Sequence, residues 1–234
     1  MNERKTVALV PAYNEEPRIA RVLEVITSSP LVNEIIVLDD GSRDKTSEIA
    51  SRFPVKVLRW EQNRGKGAVL QSGLEKAPDA DYYLFLDADL INFNIEHIEK
   101  ILTPLTWPEP ADMTIGVFKH GNKNHVNMAQ HYFSVLNGQR ALRREFVEIL
   151  PDLNWSRFGV EILLTRYAAL AKRKVSYPEL HGITHVTKEE KLGFFGGFCH
   201  RLQMYQECVF SLFVHKKMIK RHPGKVPPDI LKKI

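Results

Sequence analysis

Short apolar runs and segments of helical spacing alternate through the first ninety residues, and this alternation is the feature that most constrains the fold. The apolar runs span residues 6–10, 34–38, 55–59 and 82–86. The helical segments lie between them, at residues 15–28, 44–53 and 65–77. Strands that alternate with helices predict βαβ units and a mostly parallel sheet. Because parallel crossovers are right-handed, few topologies are compatible with this order.

Size and composition indicate one compact α/β domain, with or without an appendage. The chain has 234 residues, of which 44% are hydrophobic. Its two cysteines, Cys199 and Cys208, lack CxxC spacing, so we expect neither a disulfide framework nor a zinc site. No signal-peptide core and no apolar stretch of about 18 residues is present. We therefore expect a reduced, cytoplasmic protein.

The second half shows a less regular pattern. We predict helices over residues 95–102, 128–136 and 158–171, and strands over 113–118 and near 180–184. The three prolines within 103–112 predict a loop there. Residues 137–140 are a turn candidate.

The positive charge is concentrated at the C-terminus. Residues 186–234 contain ten Lys and Arg against four Asp and Glu, whereas the rest of the chain contains 23 against 24. Aromatic and apolar residues recur at helical spacing over 194–213, and a basic stretch follows at 216–221. This predicts an amphipathic helix with a basic end. It either lies on a membrane interface or packs on the domain or a second subunit through residues 194–221. We expect no nucleic-acid partner.

Polar, turn-compatible residues follow each predicted strand. In order they are PAYNEE at 11–16, DDGSRD at 39–44, NRGKG at 63–67 and DAD at 87–89. The carboxyl ends of parallel strands meet at one edge of a sheet, where ligands bind. The sequence has neither a GxxxxGK[ST] loop nor a GxGxxG turn, which argues against an NTPase or a dehydrogenase.

Asp87 and Asp89 have the spacing of a cation site. They follow a buried apolar run, and hard cations such as Mg²⁺ prefer oxygen ligands shared with substrate phosphates. The alternative is an Asp-rich surface turn. Lys66 offers a cation to a phosphate, and Asp40 can accept from a base edge or a ribose hydroxyl.

The ordered set of four motifs resembles the nucleotide-sugar-binding half of family-2-like glycosyltransferases with the GT-A fold, over residues 6–93. The resemblance implies that a base and ribose pocket is lined by Pro11, Ala12, Tyr13 and Glu15. It implies that Asp40 contacts the base and Lys66 lies near the nucleotide. It further implies that Asp87 contacts the ribose or the metal and that Asp89, acting in catalysis, coordinates a metal bridging the diphosphate.

The second half is similar to glucosyl-3-phosphoglycerate synthases in the segments 89–92, 138–144 and 158–162. Those enzymes are retaining, and the resemblance implies that Gly138 and Arg140 lie on the acceptor side. It also implies a histidine as third metal ligand, for which His185 is the nearest match and His181 the competitor. The chain is shorter than those enzymes and differs before Gly138, so their acceptor is not transferred to it.

Glu161 interrupts an otherwise apolar helix start. A carboxylate there orients the acceptor or acts as a base, or else it complements the helix dipole. Asp152 is a weaker candidate for the same task. Arg140, Arg143 and Arg144 suggest an anionic acceptor, unless they lie on a helix and face solvent.

Together these features predict a metal-dependent glycosyltransferase that uses a nucleoside-diphosphate sugar, with UDP favoured, and Mg²⁺ or Mn²⁺. Residues 1–190 would form the GT-A domain and 191–234 a helical basic tail. The acceptor would be phosphate-bearing or lipid-linked. The alternatives are an inverting polyprenyl-phosphate glycosyltransferase and a non-catalytic nucleotide-sugar-binding protein. The expected location is the cytoplasm, either free or peripheral on the inner face of the plasma membrane.

Overall fold

The computed structural model describes residues 4–106, 108–119, 137–185 and 214–234. The strands of these ranges are β1 Thr6–Ala12, β2 Glu34–Asp39, β3 Lys56–Arg59, β4 Tyr82–Phe85, β5 Leu90–Ile91, β6 Met113–Ile115, β7 Val117–Lys119, β8 Arg140–Arg143, β9 Val175–Ser176, β10 Glu179–His181 and β11 Thr184–His185. The helices are α1 Ile19–Thr27, α2 Thr46–Ala50, α3 Lys66–Lys76, α4 Ile95–Thr106, α5 Arg144–Val147, α6 Val160–Leu170 and α7 Pro228–Leu231. A 3₁₀ turn spans Arg157–Gly159, and residues 214–221 are also helical.

A seven-stranded sheet in the order β3-β2-β1-β4-β8-β6-β9 organises the described residues. Its strands run parallel except β8, which is antiparallel to both β4 and β6. Two small pairs complete the strand set, parallel β10–β7 and antiparallel β11–β5. The predicted α/β architecture with a mostly parallel sheet is confirmed.

Helices cover both faces of this sheet, which explains why β1, β2 and β4 are mostly continuous apolar runs rather than alternating ones. Along β1, Val7 and Leu9 belong to one buried cluster, whereas Ala8 and Val10 belong to the other. The first cluster includes apolar residues of α3 and α6, and the second includes those of α1 and α4. Each face therefore has its own core.

Strand β8 corrects the sequence prediction. We expected a turn at 137–140 and no strand after it, with a helix as one alternative for the arginines, but Arg140–Arg143 forms a strand between β4 and β6. Its register pairs Arg140 with Phe85 and Leu142 with Tyr83. The short segment RALR has arginine at both ends, so no apolar run indicates a strand. The neighbouring strands supply the backbone hydrogen bonds that hold it.

Several other boundaries differ from the prediction, and three of them have a local explanation or lie at a proline. Helix α4 continues through Pro104 to Thr106, into the segment predicted as a loop. The strand predicted over 113–118 breaks at Gly116, where a Cβ would lie 2.5 Å from Leu180 Cδ1. The helix predicted from Asp44 begins at Thr46, and Asp44 Oδ1 accepts a hydrogen bond from the Thr46 N–H at 3.1 Å. The predicted helix over 128–136 and the aromatic segment 194–213 lie outside the described residues.

The C-terminal segment 214–234 packs against the sheet domain. Ile219, Val226 and Ile230 are buried in the cluster on the α3 and α6 side. Two backbone hydrogen bonds fasten the segment to residues 150–152: Asp152 N–H to the His222 carbonyl at 3.2 Å, and Lys225 N–H to the Leu150 carbonyl at 2.9 Å. The domain boundary at residue 190 stays a prediction.

A search of the described ranges finds no helix with the length and apolarity needed to cross a bilayer.

Ile219→Ala tests whether this segment contributes to the domain core. Ile219 is fully buried, so truncation should lower the free energy of unfolding by about 2–5 kcal/mol, since it removes apolar contacts and leaves a cavity. Urea denaturation measures the change. Lys220→Ala is the matched control, because the exposed neighbour should change stability by less than about 0.5 kcal/mol. Equal stability of the two variants would show that the segment is not part of the core.

Candidate active site

The carboxyl ends of β1, β2 and β4 meet at one edge of the sheet. The parallel register aligns Ala12 with Asp39 at the ends of β1 and β2, and Leu9 with Phe85 in β1 and β4. The polar motifs follow these ends directly. The edge therefore gathers residues from separate parts of the sequence, as expected from the parallel order.

The loops after β1 and β2 brace each other. Asn14 adopts a positive φ of 56°, and its backbone N–H donates to Ser42 Oγ at 2.9 Å. Its side-chain Oδ1 accepts from the Arg43 N–H at 2.8 Å. The Glu15 N–H donates to Thr46 Oγ1 at 2.8 Å. These bonds fix one loop on the other, which makes the two motifs a single unit.

The four residues assigned by resemblance to the base and ribose pocket lie at the end of β1 and just beyond it. Pro11 is half-buried and Ala12 is buried. Tyr13 is 40% exposed, so its ring lies at the surface of the sheet edge. Glu15 is buried, and its Oε2 lies 3.3 Å from Arg18 Nη1. An exposed aromatic ring beside the sheet edge is a surface on which a base can stack.

Asp40 holds the glycine-rich loop. Its Oδ1 accepts from the Arg64 N–H at 2.6 Å, and its Oδ2 accepts from the Gly65 N–H at 2.8 Å. Burial raises the pKa of this carboxyl, and the two backbone N–H groups partly offset that effect. In this structure Asp40 therefore joins the end of β2 to the loop that precedes α3.

Two glycines bring α3 close to the segment before α6. Gly65 has a φ of 90°, and a Cβ there would lie 3.1 Å from Arg157. A Cβ on Gly67 would lie 2.1 Å from Ser156 Oγ and 2.5 Å from the Leu153 carbonyl oxygen, closer than real Cβ atoms pack. Because the glycines carry no side chain, the first turn of α3 can touch the turn that leads into α6.

This close approach places Lys66 between two carboxylates. Lys66 Nζ lies 2.6 Å from Asp87 Oδ1 and 2.6 Å from Glu161 Oε1, and the lysine side chain is 16% exposed. Burial lowers the pKa of the Lys66 ammonium, but the charges of Asp87 and Glu161 outweigh it, so the pKa is raised. Glu161 lies in the first turn of α6, where a carboxylate also complements the helix dipole.

Gln139 was not assigned a role from the sequence, yet it fixes Asp87. The Gln139 Nε2 group donates to Asp87 Oδ2 at 2.7 Å, and Gln139 Oε1 accepts from the Asp87 N–H at 3.0 Å. Gln139 is fully buried. The one signal in the sequence was its place in the GQR segment, between the two residues assigned to the acceptor side.

Gly138 lies directly against this cluster. A Cβ on Gly138 would lie 2.5 Å from Asp87 Oδ2 and 2.6 Å from Lys66 Nζ. Any side chain would therefore displace the ion pair. The backbone of residues 137–139 thus forms one wall of the site.

Arg140 lies inside the protein. It is fully buried; its Nη1 donates to Thr165 Oγ1 at 2.8 Å and its Nε donates to the Asn137 carbonyl at 2.8 Å. Burial lowers the pKa of its guanidinium to about 10, against the opposing charges of Glu161 and Asp87. In the structure described here it supports the site from within, and acceptor binding by Arg140 stays a prediction.

The predicted cation ligands converge at the backbone level. Asp89 is half-buried between β4 and β5, and β11 pairs with β5 so that His185 lies opposite Leu90. The described ranges contain no group of three or more His, Cys, Asp or Glu side chains arranged to hold a metal ion. Carboxylate oxygens at this edge are the donor type that Mg²⁺ and Mn²⁺ take, so the residues fit such an ion. The set Asp87, Asp89 and His185 stays a prediction.

His97 anchors the chain that leads to His185. Its Nδ1 accepts from the Asn94 N–H at 3.1 Å, so its Nε2 carries the proton and donates to the His181 carbonyl at 3.0 Å. Burial lowers the pKa of His97. The competitor His181 has an exposed side chain 3.6 Å from Glu179. The neutral imidazole of His97 thus ties α4 to the turn between β10 and β11.

The mostly parallel sheet flanked by helices has the GT-A fold, which confirms the fold expected from the sequence. The chain belongs to glycosyl transferase family 2, whose family model matches residues 7–161. It is therefore a glycosyltransferase, as predicted.

The chain is similar to several curated proteins. An uncharacterized protein of Methanocaldococcus jannaschii is 36% identical over 199 residues, which cover 74% of this chain and 78% of that protein. A glucosyl-3-phosphoglycerate synthase of Mycolicibacterium smegmatis is 35% identical over 49% of this chain and 41% of that protein. The human dolichyl-phosphate beta-glucosyltransferase is 29% identical over 55% of this chain and 45% of that protein. The matches thus span less than half the length of the two named enzymes.

Solved structures of glucosyl-3-phosphoglycerate synthase from Mycobacterium tuberculosis share the fold. The complex with Mg²⁺ and UDP is 26% identical, with a TM-score of 0.66 over 81% of this chain and 76% of that one. The complex with Mn²⁺, UDP and glucosyl-3-phosphoglycerate has a TM-score of 0.72 over 96% of this chain and 81% of that one, at 23% identity.

Gln139→Ala should lower the free energy of unfolding by about 1–3 kcal/mol, because it leaves the Asp87 N–H and Oδ2 without their buried partner. Urea denaturation measures this loss. Gln62→Ala, at an exposed glutamine, is the matched control. If both variants unfold at the same urea concentration, Gln139 does not hold Asp87 in the way its hydrogen bonds indicate.

The lowered pKa of His97 predicts a pH dependence of stability. In the unfolded chain a histidine takes up a proton near its ordinary pKa of 6.5, whereas folded His97 does so only at lower pH. The free energy of unfolding should therefore fall as the pH drops below about 6.5. His97→Gln should lose less stability than the wild type over this range in urea denaturation. His181→Gln is the control and should follow the wild type; parallel curves for all three proteins would contradict the assignment.

Proposed function

We propose that this glycosyltransferase moves a sugar from a nucleoside-diphosphate sugar, with UDP favoured, to a phosphate-bearing acceptor in a reaction that depends on a divalent cation. The observation that carries the proposal is the cluster of Lys66, Asp87 and Glu161 at the carboxyl edge of the sheet. Solved relatives of the same fold bind UDP together with Mg²⁺ or Mn²⁺.

The donor would lie along the ends of β1, β2 and β4. Tyr13 offers a ring for the base, and the braced loops around Asn14 and Ser42 keep this surface fixed. We assign base or ribose contacts to Pro11, Ala12, Glu15 and Asp40, with Asp40 also holding the glycine loop. Lys66 stays an ammonium because two carboxylates face it, so it can meet the negative charge of a diphosphate.

We assign the cation to Asp89 and His185, with Asp87 on the ribose or the cation. The register of β11 and β5 supports this set, because it brings residue 185 beside residue 90. Both oxygens of Asp87 accept hydrogen bonds from Lys66 and Gln139. A divalent cation, when bound, supplies Lewis-acid stabilisation of the charge on the departing nucleotide.

Glu161 is the acceptor-side carboxylate in this proposal. It is buried, and Lys66 joins it to Asp87, so the acceptor and donor sides share one network. Glu161 would orient the acceptor hydroxyl or take its proton. Gly138 would border the acceptor, since its backbone lies directly against Asp87 and Lys66 with no side chain between them. A phosphate on the acceptor fits the named relatives, which act on phosphoglycerate or dolichyl phosphate.

The similarity to dolichyl-phosphate beta-glucosyltransferases supports a second candidate, transfer to a polyprenyl phosphate with inversion. The structural likeness to glucosyl-3-phosphoglycerate synthase along most of the chain favours the retaining reaction on a soluble phosphate. The anomeric configuration of the product, measured by NMR, distinguishes the two.

Asp89→Asn should lower turnover by on the order of 100-fold, because it removes a charged oxygen ligand beside the diphosphate. The assay is hydrolysis of UDP-glucose, measured as UDP release without an added acceptor, in Mn²⁺ and in Mg²⁺. A second readout is the thermal stabilisation by UDP with Mn²⁺, which should be reduced in the variant.

Asp79→Asn is the matched control. Asp79 is an exposed aspartate that precedes β4 and pairs with Lys5, so this substitution should leave turnover and thermal stabilisation unchanged. Turnover of Asp89→Asn within about twofold of the wild type, well under the loss expected for a stabilising group, would contradict the cation assignment.

A further inference from the structure

The last 21 residues carry the whole positive excess of the chain. Residues 214–234 contain seven Lys and Arg and one acidic residue, Asp229, whereas the other 213 residues contain 26 basic and 27 acidic ones. The seven cations, named here the C-terminal basic surface, are Lys216, Lys217, Lys220, Arg221, Lys225, Lys232 and Lys233.

All seven side chains are exposed. Within the described parts of the chain, none of them lies within ion-pair distance of a carboxylate. Some lysines elsewhere are paired: Lys5 pairs with Glu34 and Asp79, and Lys56 pairs with Glu34. Among the described residues, the positive charge of this segment is therefore not compensated by neighbouring carboxylates.

The helix at 214–221 separates its apolar and charged sides. His215 and Ile219, one turn apart, are buried against the domain. At 100° per residue, the four cations of this helix span an arc of roughly 140° on the opposite side. The apolar side is thus occupied by the core, and the charged side faces outward.

The rest of the segment repeats this arrangement. Val226 and Ile230 are buried, while Lys225, Lys232 and Lys233 are exposed. The backbone hydrogen bonds to residues 150–152 hold the segment on the domain. The basic surface is therefore a fixed part of the domain, and no large apolar side chain of residues 214–234 is exposed beside it.

We propose that the C-terminal basic surface docks the enzyme on anionic phospholipid membranes through charge alone. Clusters of four to eight cations bind anionic membrane surfaces, because each Lys or Arg near the membrane strengthens binding by roughly fivefold. A protein partner fits less well, because protein interfaces are depleted in lysine and rely on aromatic and apolar anchors. A single-stranded nucleic acid fits less well too, because residues 214–234 contain no Phe, Tyr or Trp on which bases could stack.

This proposal differs from insertion of an amphipathic helix. Insertion would use apolar side chains, whereas the apolar side of the described helix is buried in the domain. The proposal is also independent of the donor, the cation and the acceptor, since membrane binding is measured without turnover.

The test is sedimentation of the full chain with vesicles of phosphatidylcholine alone and of equimolar phosphatidylcholine and phosphatidylglycerol. The protein should bind only the anionic vesicles and should be released by 1 M salt, at which charge interactions reach only about 3 Å. The variant Lys216→Glu/Lys217→Glu/Lys220→Glu/Arg221→Glu should bind at least about 100-fold more weakly.

The matched control reverses four exposed cations elsewhere, Arg21→Glu/Lys76→Glu/Lys100→Glu/Lys172→Glu, so its net charge is the same. It should retain a clear preference for the anionic vesicles, and both variants should keep the thermal unfolding temperature of the wild type. If the Lys216/Lys217/Lys220/Arg221 variant unfolds at a lower temperature than the wild type, a variant with Gln at the same four positions is compared with the control instead. Equal binding of variant and control, binding that persists in 1 M salt, or displacement of the protein from vesicles by single-stranded RNA would each overturn the proposal.

Discussion

The Lys66 ammonium, held between the carboxylates of Asp87 and Glu161, is the interaction on which the site depends. Two carboxylates this close would repel each other without a cation between them, and a lysine this buried would lose its proton without two anions. Each charge is therefore stabilised by the others. The network links the end of β4 to the first turn of α6, so the proposed donor and acceptor sides of the site are fixed relative to each other.

Close backbone packing at three glycines lets the three charged side chains of this network come together. Gly65 and Gly67 let the start of α3 touch the turn before α6, and Gly138 lets the chain pass over the pair without a side chain. Gln139 then completes the hydrogen bonding of Asp87 from the next residue along. The geometry of the site thus depends on glycines, which have no side chain, and on Gln139, whose side chain is used to hydrogen-bond Asp87.

Much of the architecture could be predicted from local pattern. The apolar runs of β1, β2 and β4 are buried on both faces of the sheet, so they could be recognised as strands from the local sequence, without knowledge of the neighbouring strands. Strand β8 was not, because RALR has no apolar alternation and becomes a strand only between β4 and β6. Arg140 shows the same limit: a buried arginine is stable only with its partners Thr165 and Asn137, which no local pattern reveals.

The sequence by itself determined the order of strands and helices up to β4 and the identity of the polar residues at each of these strand ends, because both follow from hydrophobic period and turn chemistry within a few residues. The tertiary structure alone decided which of those residues meet. Lys66 and Glu161, or Gln139 and Asp87, are distant in the chain, and burying their polar groups is favourable only once the sheet has brought them together. Long-range pairing of this kind is a property of the folded domain and not of any segment.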